Sequence, residues 1–298
     1  MSLQIRQTIQ VPPHRAGGFD HADVHPPTGR VFVAHTAFDQ VEILEGEAGR
    51  HERTVPDCPE ASGVLYAPEP GWMFAAARGA GAILVLTAAG DLVRTIAAGA
   101  RPNGLAWDPR HRQLLVADVQ DNQARIVDPA TGEILATIQL PGRPRWCVYD
   151  RAGECFWVNI REPAVVVALA AATGALTASV PVAAAGPHGL ALDDEAGRLY
   201  VACDSGDLVV LDRATGATLA SIALAGEPDV VWLNYRRKRL YVAIGAPGVL
   251  QVVDLDHPHI AEEVPTDAGT KTFAFDERRQ RLYLFLPRKC QAVVYDEL

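Results

Sequence analysis

The sequence GPHGLALDDEAGRLYVACD, residues 186–204, decides the fold because the chain repeats it. The same pattern returns as RPNGLAWDPRHRQLLVAD at 101–118 and as EPDVVWLNYRRKRLYVAIG at 227–245. Weaker copies complete a series of seven, whose equivalent residues are Asp20, Ser62, Asn103, Arg145, His188, Asp229 and Lys271. The copies lie 41 to 43 residues apart, and a period of about 40 residues is typical of propeller blades.

Each copy carries short β-rich runs separated by turns. In the fifth copy the runs are 189–193, 198–203, 207–211 and 217–224, and a Thr-Gly pair before the last run suits a hairpin turn. No helix-length periodic segment interrupts them. We therefore predict an all-β, seven-bladed β-propeller with four antiparallel strands per blade, in a single domain over residues 1–298.

The last copy is one strand short, with runs at 273–276, 281–286 and 292–296. The first residues supply a candidate, because QIRQTIQV at 4–11 resembles the fourth-strand sequence ILATIQL at 134–140. The N-terminal strand is thus predicted to form the outer edge of the last blade and to close the ring, which would otherwise have an unpaired seam.

Composition excludes several classes of protein. A hydrophobic fraction of 49% with 21% charged residues is that of a globular protein and argues against disorder. A net charge of −9 opposes the phosphate neutralisation that supplies most nucleic-acid affinity, so no nucleic-acid partner is expected. Five cysteines without a Cys-x-x-Cys pair are expected to be buried, reduced thiols.

The sequence also gives expectations about location and assembly. No apolar run approaches the roughly 20 residues that cross a bilayer, so no membrane partner is expected. The first residues, MSLQIRQTIQVPP, lack the basic start and apolar stretch of a secretory signal, which favours the cytoplasm. We expect a monomer or a weak oligomer.

The repeats resemble those of YVTN-type propellers, also called YncE-like. RLYVACD at 198–204 and RLYVAIG at 239–245 match the second strand of that family. IVDPATGEILATI at 126–138 and VLDRATGATLASI at 210–222 match its third and fourth strands. The Asn that ends the family motif is replaced here by His35, Asp118, Ile160, Cys203 and Ile244. The resemblance implies a propeller scaffold for ligands or proteins and does not specify a reaction.

A binding site is predicted at one end of the blades. Because strands alternate in direction, the loop into the first strand and the loop from second to third strand lie at the same end. All seven equivalent residues at the first position are polar or charged, which favours a wet channel mouth. Arg145, Arg161 and Lys271 are suited to hold a carboxylate or phosphate there. The partner is expected to be a small molecule or, alternatively, a protein.

His188 is the best catalytic candidate because an imidazole titrates near neutrality and can act as acid or base. Asp204 follows the next strand of the same blade and is predicted to orient it. Pro187-His188-Gly189 with Asp204 also resembles the site of streptogramin lyase, a propeller that opens a lactone by elimination with a divalent metal. That resemblance implies a base at His188 and a metal ligand at Asp204. It departs at Gly186, where the lyase pattern has a second acidic ligand.

Two other sets of residues offer metal ligands. Asp20, Asn103 and Asp229 present oxygen atoms suited to a hard cation, and by residue type they resemble the calcium site of gluconolactonase-like propellers. Asn103 and Asp229, with Arg161, are also candidate substrate contacts. His21 and His25, with His35 across a hairpin, are candidates for zinc. The cofactor expected is a divalent cation: magnesium, calcium or zinc.

Two functions remain open at this point. The first is a metal-assisted lyase or lactonase acting on an anionic or lactone substrate, with His188 and Asp204 at the reaction and Arg145 and Lys271 on the substrate. The second is a non-catalytic scaffold that binds a protein or a metabolite. Composition does not separate them.

Overall fold

A computed structural model describes residues 3–13 and 16–298, and over this range the chain forms seven sheets of four antiparallel strands. Strand β1 is Leu3–Gln10. The first blade consists of β2 Ala22–His25, β3 Arg30–His35, β4 Gln40–Glu45 and β5 Arg50–Val55. The second consists of β6 Ala61–Ala67, β7 Trp72–Ala77, β8 Ala82–Leu86 and β9 Leu92–Ala97. The third consists of β10 Pro102–Asp108, β11 Gln113–Asp118, β12 Gln123–Asp128 and β13 Glu133–Gln139.

The remaining blades follow the same order. The fourth consists of β14 Pro144–Asp150, β15 Cys155–Ile160, β16 Val165–Ala170 and β17 Leu176–Pro181. The fifth consists of β18 Pro187–Asp193, β19 Arg198–Cys203, β20 Asp207–Asp212 and β21 Thr218–Ala223. The sixth consists of β22 Pro228–Asn234, β23 Arg239–Ile244, β24 Val249–Asp254 and β25 His259–Pro265. The last contains β26 Thr272–Asp276, β27 Arg281–Leu286 and β28 Gln291–Glu297.

Strand β1 completes the last blade, whose strand order is β1-β28-β27-β26. The pairing of β1 with β28 is antiparallel and runs from Leu3 opposite Glu297 to Gln10 opposite Gln291. This confirms the predicted role of the N-terminal strand. The fold is the predicted all-β, seven-bladed β-propeller.

The chain packs as two compact units. The first comprises Met1–Pro102 and Thr266–Leu298 and contains the first, second and last blades. The second comprises Asn103–Pro265 and contains the third to sixth blades, apart from Pro102 at the start of β10.

Side-chain burial explains why the strands stack as blades. All residues of β10 are buried, whereas β21 shows exposed and half-buried residues only. Inner strands have neighbours on both faces, and outer strands face solvent on one side. In the second unit, Tyr200 and Leu208 of the fifth blade pack in one core with Val231 and Leu233 of the sixth. These apolar contacts hold the fifth and sixth blades together.

Helical structure in the described part of the chain is limited to two 3-10 turns, Thr36–Phe38 and Arg78–Ala80. No helix there has the length and apolar character needed to cross a membrane.

Candidate functional site

His188 and Asp204 lie at the same end of the fifth blade. Pro187 of β18 pairs with Cys203 of β19, so the two candidate residues follow at adjoining strand ends. A bulge between Pro187 and Gly189 interrupts the ladder at His188, and bulges re-aim side chains in this way. The backbone N–H of Asp204 donates to the carbonyl oxygen of Gly186 at 2.8 Å, which fixes the loop after β19.

The imidazole of His188 lies between two carboxylates. Its Nδ1 is 2.7 Å from Oδ1 of Asp204, and its Nε2 is 3.3 Å from Oδ1 of Asp229 at the start of the next blade. A protonated imidazole donates from both nitrogens, and a neutral one donates from a single nitrogen. In either state the ring orientation is set by the two carboxylates. The structure therefore brings three of the predicted residues together.

Asp204 is held as an anion. Its second oxygen, Oδ2, accepts a hydrogen bond from Nε of Arg161 at 2.6 Å. Burial alone would raise the pKa of Asp204, but hydrogen bonds from His188 and Arg161 outweigh burial and lower the pKa to about 2. The carboxylate is therefore ionised at neutral pH, and Arg161 acts on it directly.

Glu227 belongs to the same cluster, although the sequence analysis did not propose it. His188, Asp204 and Glu227 each offer a ligand atom, and these atoms all lie within 4.8 Å of one another. It is the one group of this kind found in the described ranges. The alignment of the repeats could have identified it, because Glu227 and Gly186 are at equivalent positions. Glu227 lies two residues before Asp229, as Gly186 lies two residues before His188. The neighbouring blade thus supplies the acid that is missing at Gly186.

The backbone explains why position 186 is glycine. Gly186 has a φ of +71°, and a Cβ built there would lie 2.8 Å from Cβ of Asp204. Glycine adopts this left-handed conformation with little strain, whereas other residues do so rarely. An acidic side chain at 186 would displace Asp204.

Arg145 adds a half-buried positive charge at the start of the fourth blade. Its Nε atom is buried and has no hydrogen-bond partner among the residues that the structure describes. Burial lowers the pKa of Arg145, the charge of Arg143 acts in the same direction, and Asp204 and Asp229 oppose them. The guanidinium thus lies within electrostatic reach of the cluster and offers an unused donor to an anion.

Asn159 is a second residue that the sequence analysis missed. Its Nδ2 donates to the carbonyl oxygens of His188 at 3.0 Å and Gly189 at 2.9 Å. Asn159 therefore fixes the backbone that carries the imidazole. Both acceptors are main-chain atoms of another blade, so residue identity alone gave no signal.

Asp20 and Lys271 lie in the first unit, among cationic groups. Asp20 accepts a hydrogen bond from Nδ1 of His21 at 2.6 Å and lies 3.6 Å from Arg78. Burial would raise the pKa of Asp20, but His21, Arg78 and Lys271 together lower it to about 2. Asn103 is buried at the start of the third blade, in the second unit. A cation site made of Asp20, Asn103 and Asp229 stays a prediction.

The predicted zinc set of histidines does not converge in the described structure. Nδ1 of His21 contacts Asp20, Nδ1 of His25 contacts Thr28, and Nδ1 of His35 contacts Glu42. Four residues of extended chain span about 13 Å. A spacing that brings two histidines together on a helix therefore separates His21 from His25 along a strand.

Comparison with known proteins supports the fold. No family model matches the chain, and no curated protein matches it. A solved structure of the mitotic checkpoint complex contains a similar chain, with a TM-score of 0.83 at 13% identity, covering 98% of this chain and 91% of that one. A chain of hydrazine synthase from Kuenenia stuttgartiensis is similar with a TM-score of 0.85 at 13% identity, covering 94% and 95%. At such low identity the likeness concerns the propeller fold alone.

Proposed function

We propose that the His188 cluster, defined as His188, Asp204, Glu227, Asp229, Arg161 and Arg145, binds a divalent cation together with a small organic anion. The observation that carries the proposal is the convergence of three ligand atoms, from His188, Asp204 and Glu227, within 4.8 Å. One imidazole nitrogen and two carboxylates form a donor set suited to zinc or another transition-metal cation.

The hydrogen bonds of His188 fit a role as metal ligand. Nδ1 lies 2.7 Å from Oδ1 of Asp204, while Nε2 lies 3.3 Å from Oδ1 of Asp229. Metal-bound histidines usually donate the N–H of their second nitrogen to a carboxylate, which fixes the tautomer and the ring. Asp229 supplies that carboxylate. This assignment makes His188 a ligand instead of the base expected from the sequence, and it makes Asp229 a positioning residue.

Arg161 and Arg145 have different roles in the proposed site. Arg161 binds Oδ2 of Asp204 and leaves Oδ1 directed at the imidazole. Arg145, with its buried and unpartnered Nε, is the group that would hold the substrate carboxylate or phosphate. A bound cation would polarise the carbonyl of an ester or lactone substrate. The activity class is therefore a metal-assisted lyase or lactonase.

We infer that the chain belongs with the YVTN-type propellers, an inference supported by the repeat motifs at 126–138 and 210–222. Within that group the alternative to catalysis is a scaffold that binds a protein or a metabolite at the same blade ends. The two readings differ in one property, since only the enzyme requires the His188 cluster to bind a cation.

The test is a thermal-shift series in EDTA and then in magnesium, calcium, manganese and zinc. A cation at 100 times its dissociation constant adds about 2.7 kcal/mol, which raises the melting temperature by about 5 °C. We expect this rise in the wild-type protein and its loss in Asp204→Asn. Glu195→Gln is the matched control, because Glu195 is an exposed acid at the opposite turn of the same blade and should leave the shift intact.

Two results would overturn the proposal. One is a melting temperature that no cation changes, which would favour the scaffold. The other is a shift of equal size in Asp204→Asn, which would move the cation to another site.

A further inference from the structure

A second constellation lies in the first unit and has no part in the proposed function. His35 ends β3, Glu42 lies in β4, and Cys290 immediately precedes β28. Sγ of Cys290 is 3.8 Å from Nε2 of His35, and Nδ1 of His35 is 3.2 Å from Oε1 of Glu42. A nucleophile, a base and a group that orients the base are thus arranged in that order. These three residues are called the thiol centre below.

Glu42 sets the tautomer of His35. Its carboxylate also accepts hydrogen bonds from Gln40, from His51 at 2.8 Å and from Thr54 at 2.7 Å. Burial would raise the pKa of Glu42, but the hydrogen bonds from His35, His51 and Thr54 lower it to about 2. An ionised carboxylate only accepts, so Nδ1 of His35 carries the proton. The lone pair of Nε2 then points at the thiol.

The imidazole has little freedom to turn away. It stacks on Phe19 with ring centroids 4.3 Å apart and meets Phe38 edge-on at 4.5 Å. Both rings hold His35 in the plane that directs Nε2 at Cys290. The base is therefore positioned before any reagent arrives.

The backbone of Cys290 is strained. Its φ is 50°, in the left-handed region. The residue before the third strand adopts the same region in five other blades, where it is Asp39, Gly81, Asn122, Gly206 or Gly248. Gly, Asn and Asp tolerate this conformation, and another residue there costs about 1 kcal/mol. The chain thus keeps a thiol where glycine would be less strained.

The other four cysteines provide a contrast. All five are buried. Burial raises the pKa of Cys58, Cys155 and Cys203 to about 12, and it raises that of Cys147 as well. Thiols buried in apolar surroundings are inert, and reactive thiols have a base or a positive charge beside them. Among the cysteines of the described chain, Cys290 is the one whose sulfur contacts an imidazole.

We propose that the thiol centre is a site of oxidation by small uncharged hydroperoxides. All three side chains are fully buried, which excludes large or charged reagents and leaves small neutral molecules that penetrate during local opening. The thiol proton passes to Nε2 of His35, and sulfur attacks the distal oxygen of the peroxide. The O–O bond breaks, the S–O bond forms, and the leaving alkoxide or hydroxide takes the proton back from His35. Sulfur is oxidised to a sulfenic acid and the peroxide is reduced to an alcohol or water.

The test treats the intact protein with hydrogen peroxide, removes the peroxide with catalase, and then unfolds the protein in the presence of dimedone, which traps sulfenic acids. The label at each cysteine is measured by peptide mass spectrometry. We expect Cys290 to be labelled at least about 10-fold faster than each of the other four. His35→Gln removes the base and should bring Cys290 down to the rate of the others. His51→Gln is the control, since it removes another partner of Glu42 without touching the sulfur.

The four inert cysteines also report on folding, because an unfolded variant would expose and label them all. Glu42→Gln provides a second variant, in which the label at Cys290 should fall while the other four stay unlabelled. The proposal is wrong if Cys290 in the wild type reacts no faster than the other cysteines. It is equally overturned if His35→Gln, with the other cysteines still protected, leaves the rate at Cys290 unchanged.

Discussion

The His188 cluster and the thiol centre each contain an imidazole whose Nδ1 contacts a carboxylate. They differ in the group that meets Nε2. In His188 that group is the carboxylate of Asp229, and the ring is partly exposed. In His35 it is the sulfur of Cys290, and the ring is fully buried. The same residue type thus suits metal binding in one place and thiol activation in the other, because the second partner and the access of water differ.

The two carboxylates differ in how many donors depend on them. Asp204 accepts from His188 and from Arg161, whose side chain is 44% exposed and can be solvated instead. Glu42 accepts from His35, Gln40, His51 and Thr54, and its own side chain is fully buried. Buried donors that lose their acceptor are costly, since water does not replace it. The thiol centre should therefore tolerate less change.

The largest effect expected from this difference is that of Glu42→Ala. Removing one side of a buried, paired charge costs about 3 to 5 kcal/mol, and two histidines lose their common acceptor here. Asp204→Ala should cost about 1 kcal/mol, because the exposed guanidinium of Arg161 can be solvated when the carboxylate is lost. Urea denaturation of the three proteins measures both losses.

Glu45→Ala is the control for this comparison. Glu45 lies on the same strand as Glu42 and pairs with the exposed Arg50, so its loss should cost less than about 1 kcal/mol. Equal losses for Glu42→Ala and Asp204→Ala would show that burial does not distinguish the two carboxylates.

More of the His188 cluster than of the thiol centre could be predicted from the sequence. The reason is the distance along the chain between the residues of each site. His188 and Asp204 come from adjacent strands of one repeat, so register alone placed them together. Glu227 was missed, although the same register, extended by one blade, contains it. His35 and Cys290 are 255 residues apart and meet because the first and last blades share an apolar core. The sequence analysis predicted that Cys290 is a buried thiol. That prediction is correct for its burial but does not identify His35 as its neighbour.

The fold was predicted more completely than the sites for a related reason. A blade depends on runs of residue types, and turns such as Thr215-Gly216 tolerate variation around them. A site depends on single atoms, such as Nδ2 of Asn159 on the carbonyl oxygen of His188. The type of a residue does not tell which atom its side chain contacts or which backbone angle it adopts. The contact of Asn159 and the left-handed φ of Cys290 were therefore found only in the structure.

A smaller effect is expected from Gly17→Ala, which tests how tightly the thiol centre is closed. A Cβ at Gly17 would lie 2.3 Å from Phe38 and 3.0 Å from Nε2 of His35. Forcing an extra methyl group into such a packed place costs about 1 to 3 kcal/mol. Gly18→Ala is the neighbouring control, because nothing lies within 4 Å of a Cβ there. If chemical denaturation finds the two variants equally stable, the cover over His35 is looser than its contacts indicate.

The most specific effect, and a small one in stability, is expected from Gly186→Ala in the His188 cluster. Gly186 and Gly197 have φ values of +71° and +64°, so alanine at either position carries a similar strain of about 1 kcal/mol. Only at 186 would the new Cβ meet Asp204, at 2.8 Å, whereas nothing lies within 4 Å at 197. Gly186→Ala should therefore be somewhat less stable than Gly197→Ala, because Asp204 must shift, and the two variants should bind cations differently. Titration calorimetry should show a cation affinity about 10-fold weaker in Gly186→Ala and unchanged in Gly197→Ala, since outer contacts of this kind tune metal affinity by 10-fold or more.

Equal affinities would mean that the position of Asp204 does not control cation binding, and the metal assignment would have to move to Glu227 and Asp229.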